Sequence, residues 1–87
     1  MRLIVKRQDI YDIFDLAFVD TIGVIKEDKK TEIRLYFTGH PDNQARIELP
    51  SLEDKQIEKL VKFLARDKNT DKVVTTAELV NLIKRRP

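Results

Sequence analysis

The chain has 87 residues, which is enough for one small domain and too few for a two-domain enzyme. Its 17 Lys and Arg residues nearly balance its 15 Asp and Glu residues, so the net charge of +2 provides no strong attraction to polyanions. Cysteine is absent and histidine occurs once, which excludes disulfides, thiolate nucleophiles and cysteine-bearing zinc sites and argues against histidine-based catalysis.

The composition is that of a globular protein, with 41% hydrophobic and 37% charged residues. No apolar run approaches the roughly 18 residues of a membrane span, and the N-terminal apolar run is far too short for a secretory signal. Small secreted chains usually carry disulfides. We therefore expect a cytoplasmic protein that does not contact a membrane.

The first part of the chain carries strand patterns interrupted by one predicted helix. Residues 3–5 are apolar between charged neighbours and predict a short strand. Residues 8–19 repeat Asp at every third position, which gives an acidic stripe on a helix and predicts one there. The alternation of Phe14, Leu16 and Phe18 leaves open a strand that begins near Leu16 instead.

The next three segments predict an antiparallel β-meander. Residues 21–26 and 31–37 flank a polar run at 27–30, and the second of them alternates strictly between apolar and polar side chains. A dense cluster of turn residues at 39–43 then leads to a third alternating segment at 45–49. Such strands bury one face and leave the other in water.

The last part of the chain predicts a helix–loop–helix. Ser51 is the expected N-cap of a helix over 52–66, which has apolar residues at helical spacing. A polar break at 67–71 follows, and a capping box at 75–78 then opens a final helix over 76–85.

Together these patterns predict a single α+β domain over residues 1–87. Residues 1–50 form a β-rich part with one short helix, and residues 51–87 form the helix–loop–helix. We expect a small antiparallel meander of three to four strands packed against two to three helices.

Oxygen-bearing side chains recur at alternate positions in the loop between the last two helices. Asp67, Asn69 and Asp71 match the first, third and fifth positions of the pattern D-x-[DN]-x-[DN]-G-x₅-E, and Glu78 matches its last. Residues 67–83 therefore resemble an EF-hand calcium loop and, similarly, a dockerin repeat. The resemblance implies a calcium site with the ligands Asp67, Asn69, Asp71, Val73, Thr75 and Glu78.

This loop departs from the EF-hand pattern at one position. Lys72 stands where the family carries the glycine of a sharp turn. Ordinary helix-linker residues, with Thr75 and Glu78 as a capping box, account for the same positions without an ion. Both interpretations stay open, and calcium is the one cofactor that the sequence suggests.

One face of the predicted 52–66 helix is basic. Its Lys and Arg residues recur at helical spacing and, with the basic C-terminus, are placed to meet a phosphate backbone. A solvated helix face is the alternative interpretation. The candidate nucleic-acid-binding residues are Lys55, Lys59, Lys62, Arg66, Lys84, Arg85 and Arg86.

The predicted helices carry more apolar side chains than one small sheet can cover. We therefore expect a non-catalytic protein–protein interaction or regulatory module, which binds a protein partner or self-associates into an oligomer. The candidate partner-binding residues are Tyr11, Phe14, Phe18, Leu79, Leu82 and Ile83. A calcium-binding module and a nucleic-acid-binding accessory protein are the alternatives.

Overall fold

The computed structural model describes residues 1–37 and 44–85, and this part of the chain contains six β-strands, two α-helices and one 3-10 turn. The strands are β1 (Arg2–Arg7), β2 (Ile10–Asp15), β3 (Val19–Lys26), β4 (Lys30–Phe37), β5 (Gln44–Pro50) and β6 (Val73–Thr75). The helices are α1 (Asp54–Asp67) and α2 (Thr76–Lys84), and the 3-10 turn spans Leu16–Phe18. These elements confirm the predicted α+β class.

The first sheet has the strand order β2-β1-β6. β1 and β2 form an antiparallel hairpin whose register runs without a shift from the pair Arg2–Asp15 to the pair Arg7–Ile10. Two residues close the hairpin, and Gln8 takes a φ of 53° there, as tight hairpin loops require of at least one residue. β6 pairs with β1 in parallel, which brings the last part of the chain against its first strand.

The helix predicted over residues 8–19 is wrong, because β2 and the 3-10 turn take its place. A strand beginning near Leu16 is wrong as well, since β2 ends at Asp15 and Leu16 begins the turn. The β-branched and aromatic residues of β2 favour an extended backbone, and the tight loop lets them pair with β1. The carboxylate Oδ1 of Asp15 accepts a hydrogen bond from the Ala17 backbone N–H at 3.1 Å, which stabilises the turn where the strand ends.

The second sheet has the strand order β3-β4-β5 and confirms the predicted antiparallel meander. Ile33 and Leu35 of β4 and Ile47 of β5 point into the core, as their alternation predicts. The predicted turn cluster at 39–43 lies outside the described residues.

The helix predicted over 52–66 is present as α1, with a later start. α1 begins at Asp54, and its N-cap is Glu53 rather than Ser51. Glu53 and Gln56 form a reciprocal capping box, in which the Gln56 side chain accepts a hydrogen bond from the Glu53 backbone N–H at 2.8 Å.

The final predicted helix is confirmed as α2, and so is its cap. The hydroxyl of Thr75 accepts a hydrogen bond from the Glu78 backbone N–H at 3.1 Å. Within the described residues, neither helix has the length and apolar character that crossing a bilayer requires.

One hydrophobic core joins the two sheets and the two helices. Leu3 from β1, Leu35 from β4, Leu60 from α1 and Leu79 from α2 are each 0% exposed within it. The α-ammonium group of Met1 donates to two backbone carbonyl oxygens in the loop after α1, at 2.7 and 2.6 Å. Each sheet gives one face to this core, and each therefore keeps an outer face.

Candidate interaction surface

The outer face of the first sheet is the candidate functional site. Directly opposed residues in a β-pair point to the same face, and successive residues along a strand point to opposite faces. Leu3 and Val5 are buried in the core, so the residues that alternate with them point outward. With their partners on the neighbouring strands, the outer face consists of Arg2, Ile4, Lys6, Tyr11, Ile13, Asp15, Val73 and Thr75.

Apolar side chains occupy the centre of this outer face. Tyr11, Ile13 and Val73 are 62%, 65% and 53% exposed. Half-buried Ile4 is paired with Ile13 on one side and with Thr75 on the other, so all three strands contribute. A contiguous apolar patch of this kind marks a contact surface, whereas single exposed apolar residues do not.

Charged side chains surround the apolar centre. The Nε atom of Arg2 lies 3.8 Å from the Oδ2 atom of Asp15, and the ammonium group of Lys6 lies 5.6 Å from the centroid of the Tyr11 ring. An apolar centre with a charged rim is the usual anatomy of a protein–protein interface.

β2 is an edge strand, and two hydrogen bonds define which of its backbone groups face outward. The Arg2 N–H donates to the Lys72 carbonyl at 2.8 Å on the β6 side, so Arg2 and its partner Asp15 form a non-hydrogen-bonded pair. The Leu16 N–H donates to the Met1 carbonyl at 2.9 Å, so the neighbouring pair is hydrogen-bonded, as the alternation requires. By the alternation of an antiparallel ladder, Tyr11, Ile13 and Asp15 direct their N–H and C=O groups toward the open edge.

The other sheet edges carry features that discourage strand pairing. β5 has a terminal Pro50 and two exposed charged side chains, Arg46 and Glu48. The register of β3 shifts between Val19 and Thr21, and β6 has three residues. β2 contains no Pro, Lys or Arg and pairs with β1 without a bulge. Its two charged residues, Asp12 and Asp15, form ion pairs with Arg7 and Arg2 of β1, so β2 is less protected than the other edges.

The predicted partner-binding residues divide between surface and core. Tyr11 lies in the candidate site, and Phe18, 77% exposed, lies on the 3-10 turn beside it. Leu79 and Ile83 are buried, so their prediction as contact residues is wrong, because α2 turns its apolar face into the core. Phe14 and Leu82 are half-buried.

Sequence reasoning missed most of the apolar centre of the site. Ile4, Ile13 and Val73 were not among the predicted contact residues. The available signal was the pair of apolar β-branched runs at 3–5 and 10–14, separated by a short polar stretch that suits a hairpin.

The outer face of the second sheet is ionic. Glu32 of β4 is 3% exposed, and its Oε1 atom accepts a hydrogen bond from the Nε atom of Arg34 at 2.6 Å. The Nζ atom of Lys30 and the Nε atom of Arg46 lie 3.8 and 3.9 Å from its carboxylate oxygens. The Arg34 hydrogen bond and these charges hold the pKa of Glu32 below its usual range.

Asp67, the first predicted calcium ligand, is buried and paired with two cations. Its Oδ2 atom lies 3.0 Å from the Nη2 atom of Arg66 and 3.0 Å from the Nζ atom of Lys72. These hydrogen bonds, with that of Arg66 the larger influence, lower the pKa of Asp67. Lys72, which stands at the glycine position of the EF-hand pattern, thus neutralises the carboxylate.

The other predicted calcium ligands are dispersed. Asn69 and Asp71 are exposed, Val73 belongs to β6, and Thr75 and Glu78 cap α2. Among the described residues, no three His, Cys, Asp or Glu side chains are grouped closely enough to share an ion. Calcium binding stays a prediction.

The predicted basic residues converge between the two helices. Lys55, Lys59, Lys62 and Arg66 are exposed along α1. The Nζ atom of Lys59 donates to the backbone carbonyl of Arg85 at 2.9 Å, which joins this stripe to the end of α2. Lys84 and Arg85 are exposed there, and Arg86 lies outside the described residues.

A cleft of about 380 Å³ between β3 and α1 is mainly apolar. Its lining includes Ile22, Val24, Val61 and Leu64, with Asp20 and Lys68 as its charged residues. Among these lining residues, no nucleophile lies beside a base. Comparison of the chain with protein-family models, curated proteins and solved structures finds no match.

Proposed function

We propose that this chain is a non-catalytic protein–protein interaction module of the cytoplasm, and that its copies associate through the first sheet. The observation that carries this proposal is the coincidence of an unprotected edge strand with an apolar outer face on the same sheet. Within the described residues, no strand pairs with the outer edge of β2. Pairing with another strand satisfies the backbone groups of the edge and brings the exposed apolar side chains of β2 beside those of the partner strand.

The energetics of the surface support association of moderate strength. Fully burying a side chain such as Ile or Val contributes about 1.5–3 kcal/mol. Tyr11 and Ile13 lie on the pairing strand and are more than half exposed, so most of that contribution is still available to them. Because binding also costs at least about 4 kcal/mol in lost translational and rotational freedom, the apolar centre and the backbone hydrogen bonds are both needed.

Sedimentation equilibrium of the wild-type chain up to about 100 µM tests the proposal, since this range detects association with a Kd near that concentration. We expect a concentration-dependent mass above that of one chain. Ile13→Lys places a charge at the centre of the site and should return the mass to that of a single copy. Val61→Lys is the matched control, because Val61 is an exposed apolar residue on α1. A wild-type chain of monomer mass at every concentration would refute self-association.

A nucleic-acid-binding accessory function is the second candidate. It is supported by the convergence of the α1 stripe with the basic end of α2 around Lys59. Retention of the protein on immobilised DNA or RNA at low salt, with loss at moderate salt, is the expected behaviour. Lys62→Glu should weaken retention more than Lys29→Glu, which makes the same charge change in the β3–β4 turn. No retention at low salt would end this candidate.

A further inference from the structure

The open edge of β2 is complementary to itself. We infer that this edge is paired with β2 of a second copy, in an antiparallel arrangement whose two-fold axis passes through Ile13. The inference rests on the proposed self-association and adds to it the partner strand and its register.

The positions of the free backbone groups restrict the possible registers. In an antiparallel pair, residues that direct their N–H and C=O groups toward each other lie opposite one another. Tyr11, Ile13 and Asp15 are the β2 residues that do so at the open edge. With the axis at Ile13, Tyr11 lies opposite the second copy's Asp15. The Ile13 residues of the two copies lie opposite each other. Every outward-directed backbone group of β2 then has a partner.

A competing register pairs a similar length of the two β2 strands and has its two-fold axis at Asp12. It places the Asp12 residues of the two copies directly opposite each other, and like charges in that position destabilise a sheet. It also shifts Asp15 beyond the end of the second copy's β2, which begins at Ile10. The free N–H and C=O of Asp15 then lose their strand partner. Charge and hydrogen bonding therefore both favour the axis at Ile13.

The charges around the apolar centre also match in this register. Lys6 is the β1 partner of Tyr11 and lies over its ring. The second copy's Asp15 would approach Tyr11 from the other side, which places a carboxylate near the Lys6 ammonium group. The two copies of Ile13 meet at the axis. The product is a continuous sheet of the order β6-β1-β2-β2-β1-β6, with one shared outer face.

Single cysteine variants test the register, because the chain has no cysteine of its own. Opposed residues of a hydrogen-bonded antiparallel pair have Cα atoms about 5.5 Å apart, within the about 4.4–6.8 Å that a disulfide spans. Ile13→Cys should therefore form a disulfide-linked dimer under mild oxidation. In Tyr11→Cys the two sulfurs belong to residues offset by about 13 Å along the strand, so this variant is the matched control and should remain unlinked.

The outcomes separate this inference from the proposed function. Efficient cross-linking of Ile13→Cys, together with linkage of the double variant Tyr11→Cys/Asp15→Cys, supports the register. Preferential cross-linking of Asp12→Cys overturns it in favour of the competing register. A reduced Ile13→Cys protein that sediments as a dimer but does not cross-link overturns the register alone. A wild-type chain that sediments as a monomer overturns both proposals.

Discussion

The two sheets of this protein have the same number of strands and share one core, yet their outer faces are opposites. The second sheet presents Glu32 among three cationic side chains, so its charges are paired within the same copy. The first sheet presents Tyr11, Ile13 and Val73 to solvent beside an open strand edge. On our proposal, the second sheet is complete in one copy, whereas the first sheet is completed by a second copy.

The outer face of the second sheet places like charges opposite each other, and ion pairs within that face compensate for them. Glu32 lies opposite Glu48, and Arg34 lies opposite Arg46, so like charges face each other across β4 and β5. Each carboxylate is compensated by a cation beside it, as in the 2.9 Å contact of the Lys30 ammonium group with Glu48. A face of paired charges is a poor match for an apolar partner, which supports the proposal that the first sheet is the interface.

The inner faces of the two sheets should contribute equally to stability, although the outer faces differ. Leu3 and Leu35 lie on the inner faces of the first and second sheets, and both are fully buried. Leu3→Ala and Leu35→Ala should each lower the free energy of unfolding by about 2–5 kcal/mol, because each leaves a cavity in the common core. Chemical denaturation measures this, and a loss below about 1 kcal/mol for either variant would break the equivalence.

The ionic network should depend on its buried carboxylate. Glu32→Gln removes the charge that pairs with Arg34, Lys30 and Arg46, and we expect a clear decrease in Tm at neutral pH. Glu48→Gln is the control on the same face, since Glu48 is exposed, and it should change the Tm little. Equal decreases in the two variants would show that burial of Glu32 does not matter.

Acid should act through the paired carboxylates. The folded-state pKa values of Glu32 and Asp67 are lowered by hydrogen bonds from Arg34 and Arg66, respectively. A lowered pKa contributes stability that is present above the unfolded pKa, about 4, and is lost as the pH falls through the folded value. Unfolding measured from pH 7 down to about pH 2 should show this loss, and Glu32→Gln and Asp67→Asn should each flatten the curve. An unchanged pH dependence in both variants would contradict the assignment.

One substitution on the inner face of the second sheet, at Thr31, should increase stability slightly. Thr31 is 0% exposed, and its hydroxyl finds no hydrogen-bond partner among the described residues. Thr31→Val preserves the shape and removes the unpaired group, so the free energy of unfolding should rise by about 1 kcal/mol. Thr21→Val, at an exposed position of β3, is the control and should have almost no effect. A decrease for Thr31→Val would indicate that the hydroxyl is bonded.

The elements predicted correctly from the sequence are those with one clear apolar face. The strict alternation of 31–37 and the helical spacing of 52–66 arise because each element buries a single face against the core. The caps of the helices depend on local side-chain chemistry, and the Thr75–Glu78 cap was recognisable for that reason.

The candidate site is difficult to predict from the sequence because of its exposed apolar side chains. β2 has apolar side chains on both faces, so it lacks the two-residue period of a half-buried strand, and its Asp residues imitate a helical stripe. β6 is short and pairs with a strand 71 residues earlier in the chain, which no local pattern reveals. The pairing of Asp67 with Lys72 depends on how the loop folds, so the sequence pattern alone does not reveal it.

Hydrogen exchange at individual β2 amides, followed as the protein concentration rises, distinguishes a paired β2 edge from an open one. The amides of Asp12 and Phe14 face β1 and should be protected at every concentration. The amides of Tyr11, Ile13 and Asp15 face the open edge, and we expect them to exchange fast in dilute protein and to become protected as copies associate. Fast exchange of these three amides at concentrations where the protein is associated would contradict the claim that β2 is the interface.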